Sequence, residues 1–314
     1  MNLRIGSRGS QLALWQANHI AGLLRGQGHT VEIQIIKTTG DRLQEVTFSQ
    51  VGSKGMFTRE IEEALAQGRI DLAVHSLKDL PTELPEPFVL AATPARADAR
   101  DVFVSPKYAS LAALPQGAKI GTSSLRRRAQ LKALRPDIEV IEFRGNVDTR
   151  LRKLSEGQAD AILLAAAGLD RLEKSEWIRE RLEPDSFCPA PGQGALAIET
   201  RNDDVATIAA VAFLDDASTR FAVNAERTAL AGLGGGCQVP IGVHCRRASD
   251  SGLAVEIFAV VADPESGDAI RVHLQVHRHG DGSQLGWRAA EIMLQKGAAT
   301  LLKNPVPPPT GASA

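Results

Sequence analysis

Alternating strand and helix patterns run through the first two-thirds of the chain, and they constrain its fold most. LRIG (3–6) and IDLAVHS (70–76) are short apolar runs typical of strands, and SQLALWQANHIAGLLRGQG (10–28) has the amphipathic pattern of a helix. Strands that alternate with helices of this length are typical of mainly parallel sheets covered on both faces. We therefore predict an α/β fold for this part of the chain.

Two segments of the chain resemble each other. RIGSRGSQLAL (4–14) and KIGTSSLRRRAQL (119–131) each contain a strand, a glycine, small hydroxyl residues and the start of a helix. The spacing of the other elements does not repeat strictly, so we predict two similar lobes rather than a true repeat. PAPGQGALAIET (189–200) indicates a Pro/Gly hinge and a strand that returns the chain to the first lobe.

The pattern changes after residue 216. A helix precedes a glycine run, and two strand-like segments (253–263 and 269–279) are followed by a helical pattern at 284–302, which together predict a small α+β domain. The predicted domains are residues 1–95 with about 195–215, residues 96–194, and residues 216–303. We expect the proline-rich tail, residues 304–314, to be disordered.

Composition limits the classes of function. The net charge is −1 and only 4% of residues are aromatic, which argues against a nucleic-acid binder. Residues 119–153, however, include ten Lys and Arg but only four Asp and Glu, and this excess of positive charge favours small anionic ligands. The first ten residues lack the apolar core of a signal peptide and no apolar run is long enough to span a membrane, so we expect a cytoplasmic protein that does not bind membranes.

Cations and hydroxyl groups follow several predicted strands. Thr122, Ser123 and Ser124 lie where a helix begins, and backbone N–H groups there bind anions. Arginines at strand ends can bind carboxylates with two parallel hydrogen bonds, whereas a solvated helix face is the alternative explanation. These arginines are Arg8, Arg126, Arg127, Arg144 and Arg150.

LAVHSLKDLP (72–81) places Lys78 and Asp79 on a loop directly after a strand, because Pro81 prevents a helix from starting there. The carboxyl end of a strand is the usual position for catalytic groups in this architecture. An ionised aspartate among cations could stabilise a cationic intermediate, and one with a raised pKa could act as an acid. An ordinary surface Lys–Asp pair is the alternative.

Other motifs carry less chemistry. SQVGSKGMF (49–57) indicates a mobile loop, with Lys54 and Phe57, that could close a cleft. HLQVHRH (273–279) has three histidines but no Asp, Glu or Cys nearby, so we predict no metal site. No phosphate-binding glycine motif and no G-x-S-x-G motif is present.

GLGGGCQVPIG (232–242) sets Cys237 behind three glycines and ahead of Pro240. Glycines permit a close backbone approach and make a thiol reachable, which suits a nucleophile or an attachment point. A buried structural cysteine is the alternative. With three cysteines and no C-x-x-C pair, neither a disulfide framework nor a zinc ribbon is expected.

Five motifs together resemble the porphobilinogen deaminase family, also called hydroxymethylbilane synthases. The resemblance extends from residue 3 to about residue 242 in consistent order and is weak beyond. The motifs are VHSLKDLP, GTSSLRRRAQL, FRGNVDTRL, PAPGQGALAIE and NAERTALAGLGGGCQVPIG. It implies three domains, of which the first two are α/β lobes like those of periplasmic binding proteins.

The resemblance also implies a reaction. Four porphobilinogen molecules would be joined head to tail, with loss of ammonia, onto a dipyrromethane cofactor held by a thioether to Cys237. Hydrolysis would then release hydroxymethylbilane. Asp79 matches the family's catalytic aspartate, which would assist departure of the amino group and stabilise the cationic pyrrole.

Further residues match binding positions of the family. The carboxylate-binding positions are Arg8, Lys78, Arg126, Arg127, Arg144 and Arg150. The hydrogen-bonding positions are Ser10, Ser76, Thr122 and Ser124. Gln50 stands where the family's mobile loop often carries a lysine, and Arg128 is an additional cation without an assigned role.

Two other functional classes remain as alternatives. A non-enzymatic two-lobed binder of small organic acids could use the same arginines but would need no reachable thiol. A cysteine hydrolase would need a histidine partner, and His244 is the nearest one in sequence. We expect a monomer whose only partner is the small-molecule substrate.

Overall fold

A computed structural model describes residues 1–39, 58–236, 239–248 and 254–302 of the chain. The strands are β1 (Asn2–Ser7), β2 (Thr30–Ile35), β3 (Leu72–Ser76), β4 (Phe88–Ala92), β5 (Asp101–Val104), β6 (Lys119–Gly121), β7 (Glu139–Ile141), β8 (Ala161–Ala165), β9 (Ile178–Leu182), β10 (Leu196–Arg201), β11 (Ile241–Arg247), β12 (Ala254–Ala262) and β13 (Ala269–His277).

The α-helices in the described ranges are α1 (Gln11–Gly26), α2 (Arg59–Ala66), α3 (Leu125–Leu134), α4 (Val147–Ser155), α5 (Ala166–Arg171), α6 (Val205–Val211), α7 (Ala217–Gly232), α8 (Ser283–Gln295) and α9 (Ala298–Leu301). Short 3₁₀ helices are Leu77–Asp79, Ser175–Trp177 and Ala212–Leu214. None of the described helices is long and apolar enough to cross a bilayer.

The first lobe is built on a five-stranded sheet in the order β2-β1-β3-β10-β4. β1 pairs in parallel with β2 and β3, whereas β10 is antiparallel to both of its neighbours. Helix α1 buries Ile20 and Leu24 against one face, and α2 buries Ile61 and Leu65 in a second core that includes Ala73 of β3. Both faces are covered, which explains why the sequence of β3 is apolar throughout.

The second lobe repeats this arrangement with the sheet order β7-β6-β8-β5-β9. β6 is parallel to β7 and β8, and β5 is the one reversed strand. Two chain segments link the lobes, because residues 93–100 lead from β4 into β5 and residues 183–195 lead from β9 into β10. Each sheet therefore has four strands in one direction and one reversed strand that the linking segment supplies.

The third lobe is an antiparallel sheet, β11-β12-β13, covered by α7 and α8. Its core joins Phe221 and Ala225 of α7 to Val243, Ile257 and Met293. The predicted architecture of two α/β lobes and a small α+β domain is confirmed. One element differs from its prediction, since the single helix expected at 284–302 is broken at Gly297, whose φ of +94° is left-handed.

Candidate active site

A cleft of about 630 Å³ lies between the first two lobes. Parallel strands end at the same edge of a sheet. The residues that follow β1 and β3 therefore lie together at an edge of the first-lobe sheet, and those that follow β6, β7 and β8 lie together at an edge of the second-lobe sheet. The third lobe closes one end of the cleft with Leu230, Gly236 and Val239. The functional groups that the sequence predicts at strand ends thus line the walls of one cavity.

The charged side chains that line the cleft are mostly cations. Among the described residues, its two carboxylates are Asp79 and Asp148. The seven cations of the described lining are Arg8, Lys78, Arg126, Arg127, Arg144, Arg150 and Arg171. This excess of positive charge suits a ligand with several carboxylates.

The loop that carries Asp79 is fixed from three directions. Ser76 at the end of β3 accepts a hydrogen bond from Gln16 of α1 (2.9 Å). The N–H of Leu77 donates to Ala195 (3.0 Å), and the third lobe's Arg227 donates to the carbonyl oxygens of Pro81 and Thr82 (2.8 Å each). The first lobe, the second linking segment and the third lobe therefore hold this loop or the strand before it.

Gly192 allows the linking segment to pass close to the same loop. Its φ is +73°, and a Cβ there would lie 2.9 Å from the Leu77 side chain. Any other residue would be strained in conformation and would push against Leu77. The glycine-rich sequence PAPGQG thus serves packing behind the loop as well as chain reversal.

Asp79 and Lys78 differ in their partners. Lys78 Nζ lies 3.4 Å from Gln193 Oε1, and burial lowers the pKa of this lysine to about 8. Asp79 is half-buried and forms no hydrogen bond or ion pair with any residue that the structure describes. A carboxylate held on a fixed loop without a protein partner is available to a ligand.

Arg126 and Arg127 lie in the first turn of α3, where cations oppose the helix dipole. The buried carboxylate of Asp101 compensates both, since it accepts from Arg126 Nη1 and from Arg127 Nη2 (2.7 Å). Despite complete burial, the two guanidinium groups hold the pKa of Asp101 well below its usual range. One carboxylate shared between two arginines leaves a net positive charge next to the cleft.

Arg150 has a buried guanidinium donor that suits an anionic ligand. Its Nε is buried and has no hydrogen-bond partner among the described residues, and burial lowers its pKa to about 10. Buried charged donors are costly unless they are paired. Arg144, shortly after β7, lines the same wall and donates a hydrogen bond from Nε to Glu142 (2.5 Å). Arg8, after β1, lines the opposite wall.

The hydroxyl residues divide into two groups. Ser10, Ser76 and Ser124 line the cleft, and Ser10 and Ser124 also cap α1 and α3. Thr122 is buried and does not line it, and its Oγ1 instead accepts from the N–H of Ser124 (3.2 Å). Thr122 therefore shapes the helix start rather than the cavity surface.

Sequence reasoning missed three residues of this site. Arg171, at the end of α5, lines the cleft and donates to the carbonyl oxygen of Gly194 (2.8 Å), and its guanidinium lies 5.7 Å from the ring centre of Trp15 of α1. Its position after β8 was the available signal. Asp101 and Gln193 are buried. Asp101 accepts hydrogen bonds from Arg127 and Gln193, and Gln193 accepts one from Lys78. Nothing in the local sequence marked either residue.

Several predicted residues lie outside the described ranges. These are Lys54 and Phe57 of the predicted loop, Gln50, and Cys237. The described residues on either side of Cys237 are informative, because Gly236 and Val239 both line the cleft.

The fold and the cleft define a protein of two α/β lobes and a small third lobe, with a cavity between the first two that is lined mostly by cations. Residues 3–209 match the family model described as porphobilinogen deaminase, dipyromethane cofactor binding domain, and residues 220–295 match the C-terminal domain model. The chain therefore belongs to the porphobilinogen deaminase family.

Relatives cover nearly the whole chain. The porphobilinogen deaminase of Nitratidesulfovibrio vulgaris (strain DSM 19637 / Miyazaki F) is 50% identical over 305 residues, 96% of either chain. That of Trichlorobacter lovleyi is 48% identical over 304 residues, again 96% of either chain. A periplasmic substrate-binding protein of an ABC transporter from Coxiella burnetii is 17% identical, with a TM-score of 0.41 over 68% of this chain and 91% of its own. That last likeness is too distant to support any argument.

Family membership settles the reaction. The chain is a transferase that joins four porphobilinogen molecules, with release of ammonia, onto a dipyrromethane cofactor and then releases hydroxymethylbilane by hydrolysis. The residues present fit such a cofactor, because carboxylate-bearing pyrroles match the seven cations and the unpartnered Nε of Arg150. The alternatives of a non-enzymatic binder and a hydrolase are not favoured.

Proposed function

We propose that Asp79 is the catalytic carboxylate of this reaction. The observation that carries the proposal is its half-buried position in the cleft, on a loop held by the first lobe, the second linking segment and the third lobe, without a hydrogen-bond or ion-pair partner among the described residues. Held there, it can accept hydrogen bonds from the amino group of porphobilinogen and assist its departure as ammonia. Its negative charge then stabilises the cationic pyrrole without reorganisation.

The arginines of the cleft orient the substrate and the growing chain. The cofactor would supply the pyrrole carbon that receives the first unit, and its acetate and propionate groups would need cationic partners. Arg150 can use its unpartnered Nε for this purpose, and Arg8 and Arg144 face the cavity from opposite lobes. Arg126 and Arg127 bind substrate carboxylates through the N–H groups that do not bond Asp101. Ser10, Ser76 and Ser124 supply neutral hydrogen bonds from the same walls.

We infer that Cys237 carries the cofactor through a thioether. Support comes from its neighbours Gly236 and Val239, which line the cleft, and from the chemistry of the other two cysteines. Cys188 and Cys245 are buried, and burial raises the pKa of both thiols. They are thus poor nucleophiles. A tether keeps a highly charged chain in one cleft through repeated additions.

The domain limits proposed above, including the return at about 195–215, agree with sheet membership. β10 pairs with β3 and β4 of the first lobe, and β5 to β9 form the second. We also propose that the protein acts as a cytoplasmic monomer with no nucleic-acid or membrane partner. Free thiols at Cys188 and Cys245 support a reducing compartment. Sedimentation of the purified enzyme and cell fractionation test these points.

Replacement of Asp79 tests the catalytic assignment. Asp79→Asn keeps the shape but removes the charge, so turnover should fall by about 100- to 1,000-fold. Asp203→Asn is the matched control, because Asp203 is exposed and far from the cleft lining. Rapid-quench measurement of ammonia release on cofactor-loaded protein separates chemistry from loading. Equal single-turnover rates in Asp79→Asn and Asp203→Asn would exclude the proposal.

A further inference from the structure

A second cavity, of about 350 Å³, lies behind the lobes. Its walls come from residues 96–100 of the first linking segment, from Glu183 and Pro184 of the second, and from α7, β11 and β12 of the third lobe. It shares no lining residue with the active cleft. Its size falls at the lower end of the range for small-molecule sites.

Two arginines at this cavity have no carboxylate partner among the described residues. Arg247 Nη2 donates to Ser218 Oγ (2.7 Å). Arg278 Nη2 donates to the carbonyl oxygen of Ala217 (2.6 Å), and its guanidinium lies 4.9 Å from the ring centre of Phe221. We call Arg247 and Arg278 the arginine pair. Both are anchored by a single neutral bond near the start of α7, which leaves their other N–H groups for an anion.

The remaining arginines of the cavity are compensated. Arg96 forms two bonds with Glu226 (2.6 and 3.0 Å), Arg100 pairs with Asp98 and Glu183, and Arg246 pairs with Glu256. Asp216 lies close enough to Arg247 for this cation to help lower the pKa of its carboxyl, but the two form no ion pair. The positive charge that no described ion pair compensates therefore lies at the arginine pair.

The rest of the wall is largely apolar. Phe221, Ala222 and Val255 are buried residues of the third-lobe core that face the cavity, and Pro184 lies beside them. A simple inorganic ion would satisfy the arginine pair but leave this apolar surface uncovered. A ligand that fits both parts has an anionic head and a compact apolar body.

We propose that this cavity is a second ligand site, which binds a small organic acid with its carboxylate on Arg247 and Arg278 and its apolar body against Phe221 and Val255. The proposal does not depend on the residue roles assigned to the cleft. Because the third lobe and both linking segments contribute walls, bound ligand would brace the linking segment at residues 96–100.

Benzoate is a suitable probe, with benzamide as its neutral isostere and inorganic phosphate as an anion without an apolar body. Titration of the cofactor-loaded enzyme, followed by calorimetry or ligand-observed NMR, should show benzoate binding at least about tenfold more tightly than either comparison compound. Equal affinity for benzamide, or tighter binding of phosphate, would overturn the assigned ligand class. A dissociation constant for benzoate weaker than roughly 1 mM would overturn the site.

Variants locate the binding. Arg247→Gln/Arg278→Gln should weaken benzoate binding by about tenfold or more, and Arg247→Gln alone by a smaller factor, which keeps the test open if the double variant folds poorly. Arg288→Gln, in an exposed arginine of α8, is the matched control and should bind normally. Arg144→Leu tests which of the two cavities benzoate occupies, because Arg144 lines only the active cleft. If Arg144→Leu abolishes benzoate binding while the double variant retains it, the probe occupies the active cleft and the proposal is wrong. Turnover without benzoate should be unchanged in the double variant, and this result is independent of Asp79.

Discussion

Asp101 Oδ1 accepts a hydrogen bond of 2.7 Å from Arg127 Nη2, and both side chains are buried. Asp101 is the first residue of the reversed strand β5, and Arg127 lies in the first turn of α3. The pair thus joins the end of the linking segment to the helix that faces the cleft. Gln193 of the second linking segment donates to the same oxygen (3.0 Å), so both links between the lobes meet at one carboxylate.

Loss of this carboxylate should destabilise the protein strongly. Asp101→Asn leaves two buried guanidinium groups uncompensated, and breaking a buried ion pair from one side costs about 3–5 kcal/mol. Urea unfolding of the variant measures the change. Asp137→Asn, which removes the partly exposed partner of Arg135, is the control and should change the free energy of unfolding far less. Similar losses in both variants would contradict a special role for Asp101.

The mass of the purified protein should exceed the mass of its sequence by one dipyrromethane. Cys237→Ser should remove this excess and abolish the ladder of equal mass increments that substrate produces, because no other reachable thiol replaces Cys237. Denaturing mass spectrometry of the intact protein provides the measurement. Cys188→Ala and Cys245→Ala should keep the adduct, and an adduct that maps to either position would refute the assignment.

Arg150 should contribute to ligand binding more than to folding. Arg150→Leu removes a buried charge whose Nε lacks a described partner, so unfolding should be nearly unchanged or slightly favourable to the folded state. Cofactor loading and elongation should weaken by about tenfold or more, since a charged hydrogen bond contributes about 1.5–3 kcal/mol. Intact mass and turnover report both effects. Arg152→Leu, on the exposed face of the same helix, should match the unaltered enzyme.

Lys78 should make stability depend on alkaline pH in cofactor-free protein. Its pKa is about 8 in the folded state against 10.5 for the ordinary side chain, because burial disfavours the charged form. Below pH 8 the buried charge costs the folded state about 1–3 kcal/mol. Between pH 8 and 10.5 the unfolded chain binds more protons, so this cost disappears as pH rises.

The measurement compares Lys78→Met with its parent in a Cys237→Ser background, which should lack the cofactor. The variant's advantage in free energy of unfolding should be largest near pH 7 and decline from pH 8 to 10.5. Packing changes shift the difference equally at every pH, so its slope is the readout. A difference that stays constant across this range would contradict the lowered pKa of Lys78.

Much of the architecture and of the site follows from local sequence. The apolar runs of β1 and β3 and the amphipathic pattern of α1 correctly located their elements, because periodicity acts over a few residues. The rule that ligands bind at the carboxyl ends of parallel strands brought Arg8, Asp79 and Arg144 into one cavity. The roles of Asp79 and Cys237 came from family motifs rather than from physical pattern.

Long-range contacts decided the rest. No periodicity marked β5 and β10 as the reversed strands, because strand direction depends on which lobe the linking segment enters. Arg126 and Arg127 appeared in the sequence as free cations, and only the approach of Asp101 from β5 shows that they share one buried carboxylate. The sequence by itself determined most of the charged groups that line the cleft, but Arg171 and Gln193 were not predicted from it. Tertiary structure determined which of the charged groups are already paired, since burial and pairing bring together residues that are distant along the chain.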